Sequence, residues 1–501
     1  MKKILSLLLA ALMVLSMVAC GGDNGDVGET TKPQASGSGK FEVGYGAVNI
    51  TPTQLGVPMS GYGNTKERLS TGFLSYLYAI SVVFTDAEGN TAVVMAVDSC
   101  SVGEAICKEV RQWAESTQHI PMENIIICSL HQHSTPTPYE DMPTSIAYRQ
   151  QMTKGMQDSI AKAMEDRAPA EVYINTAETD ALNFVRHYIA NDPKGSIVGD
   201  NYNDAIGAQY GYKGHESEAD NEMRMIKFKR EGDKKDIIMV NFQAHPHIGT
   251  SSKSTDIHSD WPGVMRDEVS KALGCDTIYF SGAGGNLNSS SRIESENKTN
   301  WDFKEHGKLA AQYVIDAESS YTKVNTGKVM TKEIELEYGA DHSMDHLYKD
   351  ALVVHDARSV SLANANAVLK KYPKLHSVYH ATAVVEKYNA PSTAKITIGA
   401  VAFGDVAFTG HPYEMFDTNG MELRAGSANH ENKKNYDPDD QLENPYKMTF
   451  VISLANNSRG YIPSRLGYTN GGYSTDITYF APGTGEQLVG DYLRILNELH
   501  G

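Results

Sequence analysis

The chain is poor in cysteine, with five among 501 residues. No two cysteines have C-x-x-C spacing, so the sequence does not predict a zinc site built from thiolates. Cys100 and Cys128 lie in or beside apolar runs, which favours buried free thiols over disulfides.

Basic residues are outnumbered as well, with 45 Lys and Arg against 62 Asp and Glu, which gives a formal net charge of −17. A net-acidic surface repels nucleic-acid phosphates, so the composition disfavours a nucleic-acid partner. Nothing in the sequence predicts a protein partner.

Several catalytic motifs are missing. The chain has no HExxH helix motif of metalloproteases and no G-x-S-x-G nucleophile elbow. The glycine-rich stretch Gly282–Asn286 lacks the G-K-[ST] ending of a P-loop and the full dinucleotide fingerprint. We therefore interpret it as a tight turn.

The apolar run near the amino terminus, Ile4–Ala19, is shorter than the roughly 20 residues that span a membrane. Lys2 and Lys3 precede it, as in an export signal. It ends in Ala19-Cys20-Gly21, which resembles a bacterial lipobox and predicts acylation of Cys20. The alternative is an ordinary cleaved secretory signal with an incidental cysteine.

The sequence therefore predicts three parts, which are a lipoprotein signal peptide (1–20), a flexible tether (21–40) and one catalytic unit (41–501). The tether is rich in Gly, Ser, Thr, Asp and Glu, a composition that suits an anchored protein. We expect a secreted, extracytoplasmic protein held at a membrane through Cys20.

Strand-like and helix-like segments alternate over the first two thirds of this unit, which predicts an α/β fold with a mixed sheet flanked by helices. The last third is predicted to be rich in strands, at Lys328–Tyr338, His380–Lys387 and Ala394–Thr409, with a helical stretch at Asp345–Lys371. The segments predicted earlier in the chain are strands at Thr91–Val97, Asn124–Leu130, Ala170–Asn175, Asp236–Ala244 and Thr277–Phe280, and helices at Val102–Ser116, Ser145–Asp166 and Trp261–Leu273.

A His-x-His pair, His131 and His133, stands where the strand Asn124–Leu130 ends. In an extended segment residues i and i+2 face the same side, so both imidazoles could enter one cleft, one binding a metal and the other acting as a base. The alternative is a hydrogen-bonded surface pair.

A second strand, Asp236–Ala244, also ends in a histidine, His245. Two strand ends that offer imidazoles suit a catalytic zinc site with three protein ligands and a position for water. His247 is a weaker candidate, and Asp260 could orient a ligand imidazole.

Several short sequence motifs occur in an order that resembles a known family. They are Gly44–Ala47 with Ile50–Pro52, Met59–Gly63, Asn124–Ser134, Asn241–Pro246, Ser259–Gly263, Ser281–Asn288, Gly410–Glu414, and Gly460-Tyr461 with Tyr473. Together they resemble the neutral/alkaline ceramidase family. Its Thr-His-Thr-His-Ser element corresponds to residues 130–134, where Leu130 and Gln132 replace the threonines.

The resemblance implies an N-acyl amide hydrolase that converts ceramide to a sphingoid base and a fatty acid. It implies a zinc ion with four ligands, which are His131, His245, Glu414 and Tyr461. It also implies that His133 is the general base, that Tyr473 helps to hold the oxyanion, and that Arg186 contacts the substrate. Zn2+ would lower the pKa of water toward about 7.

The chain also departs from this family. Asn286 stands where the family tends to have Asp, and no carboxy-terminal β-sandwich domain is expected, since the chain ends about thirty residues after Tyr473. These departures leave two alternatives to ceramide hydrolysis. One is a zinc hydrolase of another N-acyl or ester substrate, and the other is a non-catalytic surface binding lipoprotein. An amidohydrolase-type barrel fits less well, because about ninety residues of the catalytic unit precede the His-x-His pair.

Overall fold

A computed structural model describes residues 39–63, 65–199, 204–299, 301–438 and 441–501. The predicted signal peptide, Cys20 and the predicted tether up to residue 38 lie outside the described residues. No helix in the described part of the chain is long and apolar enough to cross a membrane.

The described strands are numbered in chain order. They are β1 (Glu42–Asn49), β2 (Gly72–Phe73), β3 (Tyr78–Thr85), β4 (Thr91–Val97), β5 (Ile125–Ser129), β6 (Ala168–Glu178), β7 (Phe184–Val185), β8 (His187–Ala190), β9 (Ile197–Gly199), β10 (Tyr212–His215), β11 (Glu222–Arg230), β12 (Ile237–Phe242), β13 (Asp256–Ile257), β14 (Asp276–Ser281), β15 (Leu287–Asn288), β16 (Thr322–Val324), β17 (Met330–Gly339), β18 (Thr393–Phe403), β19 (Val406–Gly410), β20 (Glu414–Met415), β21 (Met448–Ile452) and β22 (Tyr461–Ile462).

The described α-helices are numbered in the same way. They are α1 (Glu104–Gln118), α2 (Pro143–Glu165), α3 (Asp204–Tyr210), α4 (Asp260–Leu273), α5 (Phe303–Asp316), α6 (Tyr348–Arg358), α7 (Leu362–Leu369), α8 (Val378–Tyr388), α9 (Asp417–Ala425), α10 (Arg465–Asn470), α11 (Tyr473–Ile477) and α12 (Thr484–His500).

The main sheet has the strand order β14-β12-β11-β6-β1-β3-β4-β5, with β16 also paired to β6. The β4–β5 and β12–β14 pairs are parallel and the other pairs of this sheet are antiparallel, so the predicted mixed α/β sheet is confirmed. Strand β4 is buried along its whole length because its side chains enter two different cores. Val93, Met95 and Val97 pack with α1 and α2, whereas Val94 packs with residues of α4 and of the second sheet.

The last third contributes a second sheet, β17-β18-β19-β21, and a separate parallel pair, β20 and β22. Helix α12 packs on β17 and β18 and shares their hydrophobic core. Helices α6, α7 and α8 stand between β17 and β18 in the chain and enclose a small core of their own. We call residues 345–388 the helical insert.

One predicted strand is wrong. His380–Lys387 lies within helix α8, although Thr, Val and Val favour strands. The buried residues Val378, Ala381, Val384 and Val385 have helical spacing, and the Ser377 side chain caps the helix by accepting a hydrogen bond from the His380 backbone N–H. Burial in the insert therefore outweighs strand propensity here.

Another prediction is corrected in its bounds. Ala394–Thr409 is not one strand but the hairpin of β18 and β19. The chain reverses at Gly404, which has a φ of +53°, and a Cβ there would lie 2.0 Å from the Asn325 carbonyl oxygen. Only glycine fits this turn without moving the backbone.

Candidate metal centre

His131 lies two residues beyond β5, in a left-handed conformation with a φ of 67°. Its backbone N–H donates to the Ser99 carbonyl at 2.9 Å, which ties the turn to the end of β4. The extended geometry predicted for His131 and His133 is therefore wrong, because the chain turns at the first histidine. A positive φ at a non-glycine residue costs free energy, and such strain is concentrated at functional sites.

His245 lies three residues beyond β12 and pairs with β15. Its backbone N–H donates to the Leu287 carbonyl at 3.1 Å, and it forms an isolated parallel bridge with Asn288. His245 is thus fixed beside the glycine-rich turn Gly282–Asn286, which lies next to the centre as the tight turn that the sequence predicts.

Glu414 begins β20, which pairs in parallel with β22, so that Glu414 lies directly opposite Tyr461. The Gly285 N–H donates to the Met415 carbonyl at 2.8 Å. A Cβ on Gly285 would lie 2.5 Å from the Glu414 carbonyl oxygen, so glycine permits this close approach. The turn therefore holds the edge of β20 against the end of β12.

The side chains of His131, His245 and Glu414 converge. The Glu414 Oε2 lies 2.9 Å from His245 Nε2 and 3.4 Å from His131 Nε2. One donor atom from each residue lies within 4.8 Å of the others, so the three could hold a metal ion.

Both imidazoles are oriented by the backbone. His131 Nδ1 lies 2.9 Å from the Cys100 carbonyl oxygen, and His245 Nδ1 lies 2.8 Å from the Leu287 carbonyl oxygen. A hydrogen on each Nδ1 leaves the Nε2 lone pairs facing Glu414. The predicted orienting role of Asp260 is therefore wrong, since its Oδ1 accepts instead from the Trp261 N–H at 2.8 Å.

The charges in the centre favour a cation. Burial opposes ionisation of Glu414, but His131 and His245 outweigh it and lower the pKa of this carboxyl. Burial would lower the pKa of His131, whereas Glu414 and Cys100 raise it to about 10. Glu414 Oε2 is buried and accepts no hydrogen bond from the described residues. A metal ion would satisfy this buried carboxylate oxygen, which lies between two imidazole rings.

His133 stands beside this cluster, with its Nε2 3.4 Å from His131 Nε2. The Tyr62 ring packs edge-on against the His133 ring at 5.1 Å, and the Arg68 guanidinium donates to the His133 carbonyl at 2.8 Å. Burial, together with the neighbouring imidazoles, holds the pKa of His133 well below its usual range.

Three further predicted residues lie together nearby. The Arg186 guanidinium carbon is 5.2 Å from the centre of the Tyr461 ring, and Arg186 also bonds the Ser474 hydroxyl. The Tyr461 and Tyr473 ring centres are 5.9 Å apart. Burial is the largest cause that raises the pKa of Tyr461 well above its ordinary value. Tyr461 as a ligand, and Arg186 and Tyr473 as catalytic groups, stay predictions.

The sequence interpretation assigned no role to Gly61, Tyr62 or Arg68. Gly61 has a φ of +106°, and a Cβ there would lie 2.6 Å from His133 Cγ. Arg68 is 2% exposed and donates to the carbonyls of Ser60, His133 and Ser254. Gly61 and Tyr62 belong to the element Met59–Gly63 that carried the resemblance, whereas no local pattern marks Arg68.

Residues 41–275 match the family model described as neutral/alkaline non-lysosomal ceramidase, N-terminal. Over this region, just under half of its length, the chain is similar to the neutral/alkaline non-lysosomal ceramidase family. The matched region contains His131, His133, Arg186 and His245.

Curated relatives of this family match part of the chain. Neutral ceramidase B of Dictyostelium discoideum is 25% identical over 170 residues, which is 32% of this chain and 24% of that protein. Neutral ceramidase 1 of Arabidopsis thaliana is 25% identical over 149 residues, 28% of this chain and 19% of that protein. The aligned part thus spans about a quarter or less of these relatives.

Solved structures match more of the chain. The neutral ceramidase from Pseudomonas aeruginosa has a TM-score of 0.65 and 14% identity, covering 92% of this chain and 75% of that one. A structure titled "Ceramidase complexed with C2" gives the same values. This likeness establishes a shared ceramidase fold.

Proposed function

We propose that the chain is a zinc-dependent amidohydrolase that cleaves the N-acyl amide of ceramide-type lipids, releasing a sphingoid base and a fatty acid. The convergence of His131, His245 and Glu414, with His133 beside them, carries the proposal. The relatives from Dictyostelium discoideum and Arabidopsis thaliana are neutral ceramidases, which supports the substrate class.

The donor set fits zinc. Two imidazole nitrogens and a carboxylate oxygen are typical ligands of catalytic zinc sites, and Tyr461, opposite Glu414, would add a phenol oxygen. When bound, zinc polarises an amide carbonyl and lowers the pKa of water toward about 7.

His133 is the general base in this proposal. Its Nε2 faces the side of His131 where the donors converge, and the Tyr62 ring and Gly61 fix its own ring. It would take a proton from the attacking water and return it to the leaving amine, because an amine anion is too basic to leave unprotonated.

In this proposal Tyr473 and Arg186 act on the substrate. Both lie against the Tyr461 ring. A Tyr473 hydroxyl directed at the amide carbonyl would stabilise negative charge that develops on its oxygen, an effect worth about 3–4 kcal/mol per donor. Arg186 would bind the polar head of the substrate.

The test is metal content together with turnover of a short-chain fluorescent ceramide, before and after treatment with a chelator. We expect about one tightly held zinc at this centre, loss of turnover on chelation and recovery when zinc is restored. His131→Ala should neither hold that zinc nor turn over the substrate. Turnover that persists in the metal-free protein would contradict the proposal, and bound zinc without any turnover would favour a binding lipoprotein.

A second candidate is a zinc hydrolase of smaller N-acyl or ester substrates. The cavity beside His131, His245 and Glu414 has a volume of about 20 Å³, which is room for a water-sized group rather than for a long acyl chain. Kinetics on ceramides, N-acyl amino acids and simple esters of matched acyl length distinguish the two. A kcat/KM that is highest for the esters or amino acids would favour this candidate.

For its location, we propose that the protein is exported and held at a membrane by acylated Cys20. The short apolar run Ile4–Ala19 and the Ala19-Cys20-Gly21 sequence support this. Mass spectrometry of the native amino terminus is the test. A mature chain that begins at another residue and carries no lipid would exclude the anchor.

A further inference from the structure

A second cluster of ligand-type side chains lies where the helical insert meets α11. His376 precedes α8, His380 lies in its first turn and Asp476 lies on α11. Asp476 Oδ2 is 2.7 Å from His376 Nδ1 and 3.6 Å from His380 Nδ1. One ligand atom from each residue lies within 4.8 Å of the others.

The dimensions of this cluster match those of the first centre. There, the carboxylate oxygen lies 2.9 and 3.4 Å from the two imidazole nitrogens. Four ligands at about 2.1 Å from a tetrahedral ion stand about 3.4 Å apart. Both clusters are therefore close to the spacing that such an ion requires, and small side-chain shifts would complete it.

Neighbouring groups orient His380. Its Nε2 lies 2.9 Å from Met344 Sδ, so a hydrogen on this nitrogen can donate to the sulfur and leave the Nδ1 lone pair facing Asp476. The His376 backbone N–H also donates to this Nδ1 at 3.1 Å. A bound cation would replace this backbone hydrogen bond at His380 Nδ1.

An ion can reach the cluster from solvent. The His376 side chain is 48% exposed, whereas those of His380 and Asp476 are 1% and 9% exposed. The half-exposed His376 gives an ion a path from solvent, and the two buried side chains would bind it away from water. Two nitrogen donors and one oxygen donor suit first-row transition metals, while Mg2+ and Ca2+ prefer oxygen ligands alone.

The geometry points to a second metal site, formed by His376, His380 and Asp476, for a transition-metal cation such as Zn2+ or Ni2+. A bound ion would join the helical insert to the segment that carries Tyr473. Tyr379 of the insert already packs edge-on against the Tyr473 ring at 6.2 Å. The ion would therefore also hold Tyr473 in place.

The experiment separates the two centres by mutation. In the double variant His131→Ala/His245→Ala the first centre is lost, and equilibrium dialysis against Zn2+ or Ni2+, with elemental analysis, counts the ions that remain. We expect one equivalent in this variant, and binding at least about 10-fold weaker when His376→Ala or Asp476→Asn is added. In the otherwise unchanged chain, His376→Ala should lower the count from two equivalents to one.

A matched control is His355→Ala. His355 lies on α6 of the same insert, 3.5 Å from the carboxylate of Asp356, and no third His, Cys, Asp or Glu donor joins the pair among the described residues. This variant should bind as the parent does. Added zinc should raise the thermal unfolding temperature of the double variant, with or without His355→Ala, but not of the double variant to which His376→Ala or Asp476→Asn is added.

Two results would overturn the site. One is a double variant that binds no ion at millimolar zinc, and the other is equal binding with and without His376 and Asp476. Neither depends on turnover, so loss of this site and failure of the proposed hydrolase activity are distinguishable.

Discussion

The two histidine clusters are alike in their donors and spacing, yet they are held in different ways. His131 and His245 give their Nδ1 hydrogens to backbone carbonyls, those of Cys100 just beyond β4 and of Leu287 in β15. His376 is oriented by a side chain of another helix, and His380 by a sulfur and one backbone N–H. The first cluster is thus fixed by the fold itself, whereas the second depends on how the helical insert packs on α11.

This difference bears on what each cluster can do. These carbonyls cannot move unless the backbone moves with them, so the first cluster is preorganised for chemistry that needs accurate placement. The second can adjust as its two helices shift. A preorganised cluster suits catalysis, and an adjustable one suits reversible binding.

The largest expected effect tests whether His131 is a metal ligand and His133 is the general base. His131→Ala should lose the zinc of the first centre together with turnover, because it removes one of few ligands. His133→Ala should keep zinc and lose turnover by about 10²–10⁴-fold, as is typical of a missing general acid–base. Zinc quantification and kinetics on the two variants provide the measurement. Equal zinc loss in both would make His133 a ligand, and near-normal turnover in His133→Ala would refute the base.

The next effect concerns helix α11, which carries Asp476 of the second cluster and packs against β22. Tyr473→Phe removes a hydroxyl predicted to act in the first centre, so kcat should fall by about 10²–10³-fold while zinc content stays unchanged. Tyr479→Phe is the control, since its hydroxyl donates to the Pro391 carbonyl at 3.3 Å. A similar fall in both variants would mean that loss of a tyrosine hydroxyl disturbs the segment rather than the reaction.

Preorganisation by the backbone can be broken at Gly61. Gly61→Ala places a methyl group 2.6 Å from His133 Cγ, so the ring must move. A displacement of about 1 Å costs on the order of 10²-fold in turnover. Gly56→Ala is the matched control, because Gly56 also has a positive φ, +79°, but nothing lies within 4 Å of its Cβ position. Both variants should lose similar stability, and only Gly61→Ala should lose activity.

The smallest effect sharpens the contrast between two buried carboxylates. Glu414 has an oxygen without a donor and faces two imidazoles, whereas Glu422 also has such an oxygen but lies near Glu486. Burial, followed by the Glu486 charge, raises the pKa of Glu422 to about 7, from 4.5. The folded chain then binds more protons than the unfolded chain between these values, so this group lowers stability as pH rises through that window.

Glu422→Gln should therefore raise the unfolding temperature at pH 8 relative to the parent, with little change at pH 5. The amide oxygen can still accept from Tyr436, whose hydroxyl bonds Glu422. Glu115→Gln on the exposed side of α1 should change neither value. Parallel unfolding curves for the parent and Glu422→Gln at both pH values would show that Glu422 is ionised in the folded chain.

Much of the main sheet could be predicted because its strands are continuous apolar runs with clear ends. Thr91–Val97 coincides with β4, and Trp261–Leu273 differs from α4 by one residue. The helical insert was harder, because β-branched residues at His380–Lys387 favour strands locally. Its helix depends on contacts with α6 and α7 that no short window of sequence contains.

The sequence placed His131 and His245 at strand ends for a physical reason, and the resemblance supplied Glu414. The two imidazoles of His131 and His133 do lie side by side, but not on an extended segment, because a left-handed turn at His131 is not evident from its neighbours. Arg68 could not be found, since its role depends on three carbonyls from separate parts of the chain. Prediction from a short segment succeeds for a ligand residue that directly follows a strand. It fails for a side chain that is oriented by residues distant in the sequence.

The order of the donors along the chain also has a consequence for folding. His131 follows β5 of the main sheet, whereas Glu414 and Tyr461 belong to the β20–β22 pair, and Tyr461 is 330 positions after His131. Contacts between such distant segments form late, because the loop between them must close first. Nascent or truncated chains that lack β20 and β22 hold two imidazoles but no carboxylate between them. Tight zinc binding would then report that a chain is complete and correctly folded, and an unfinished chain would carry no hydrolytic activity.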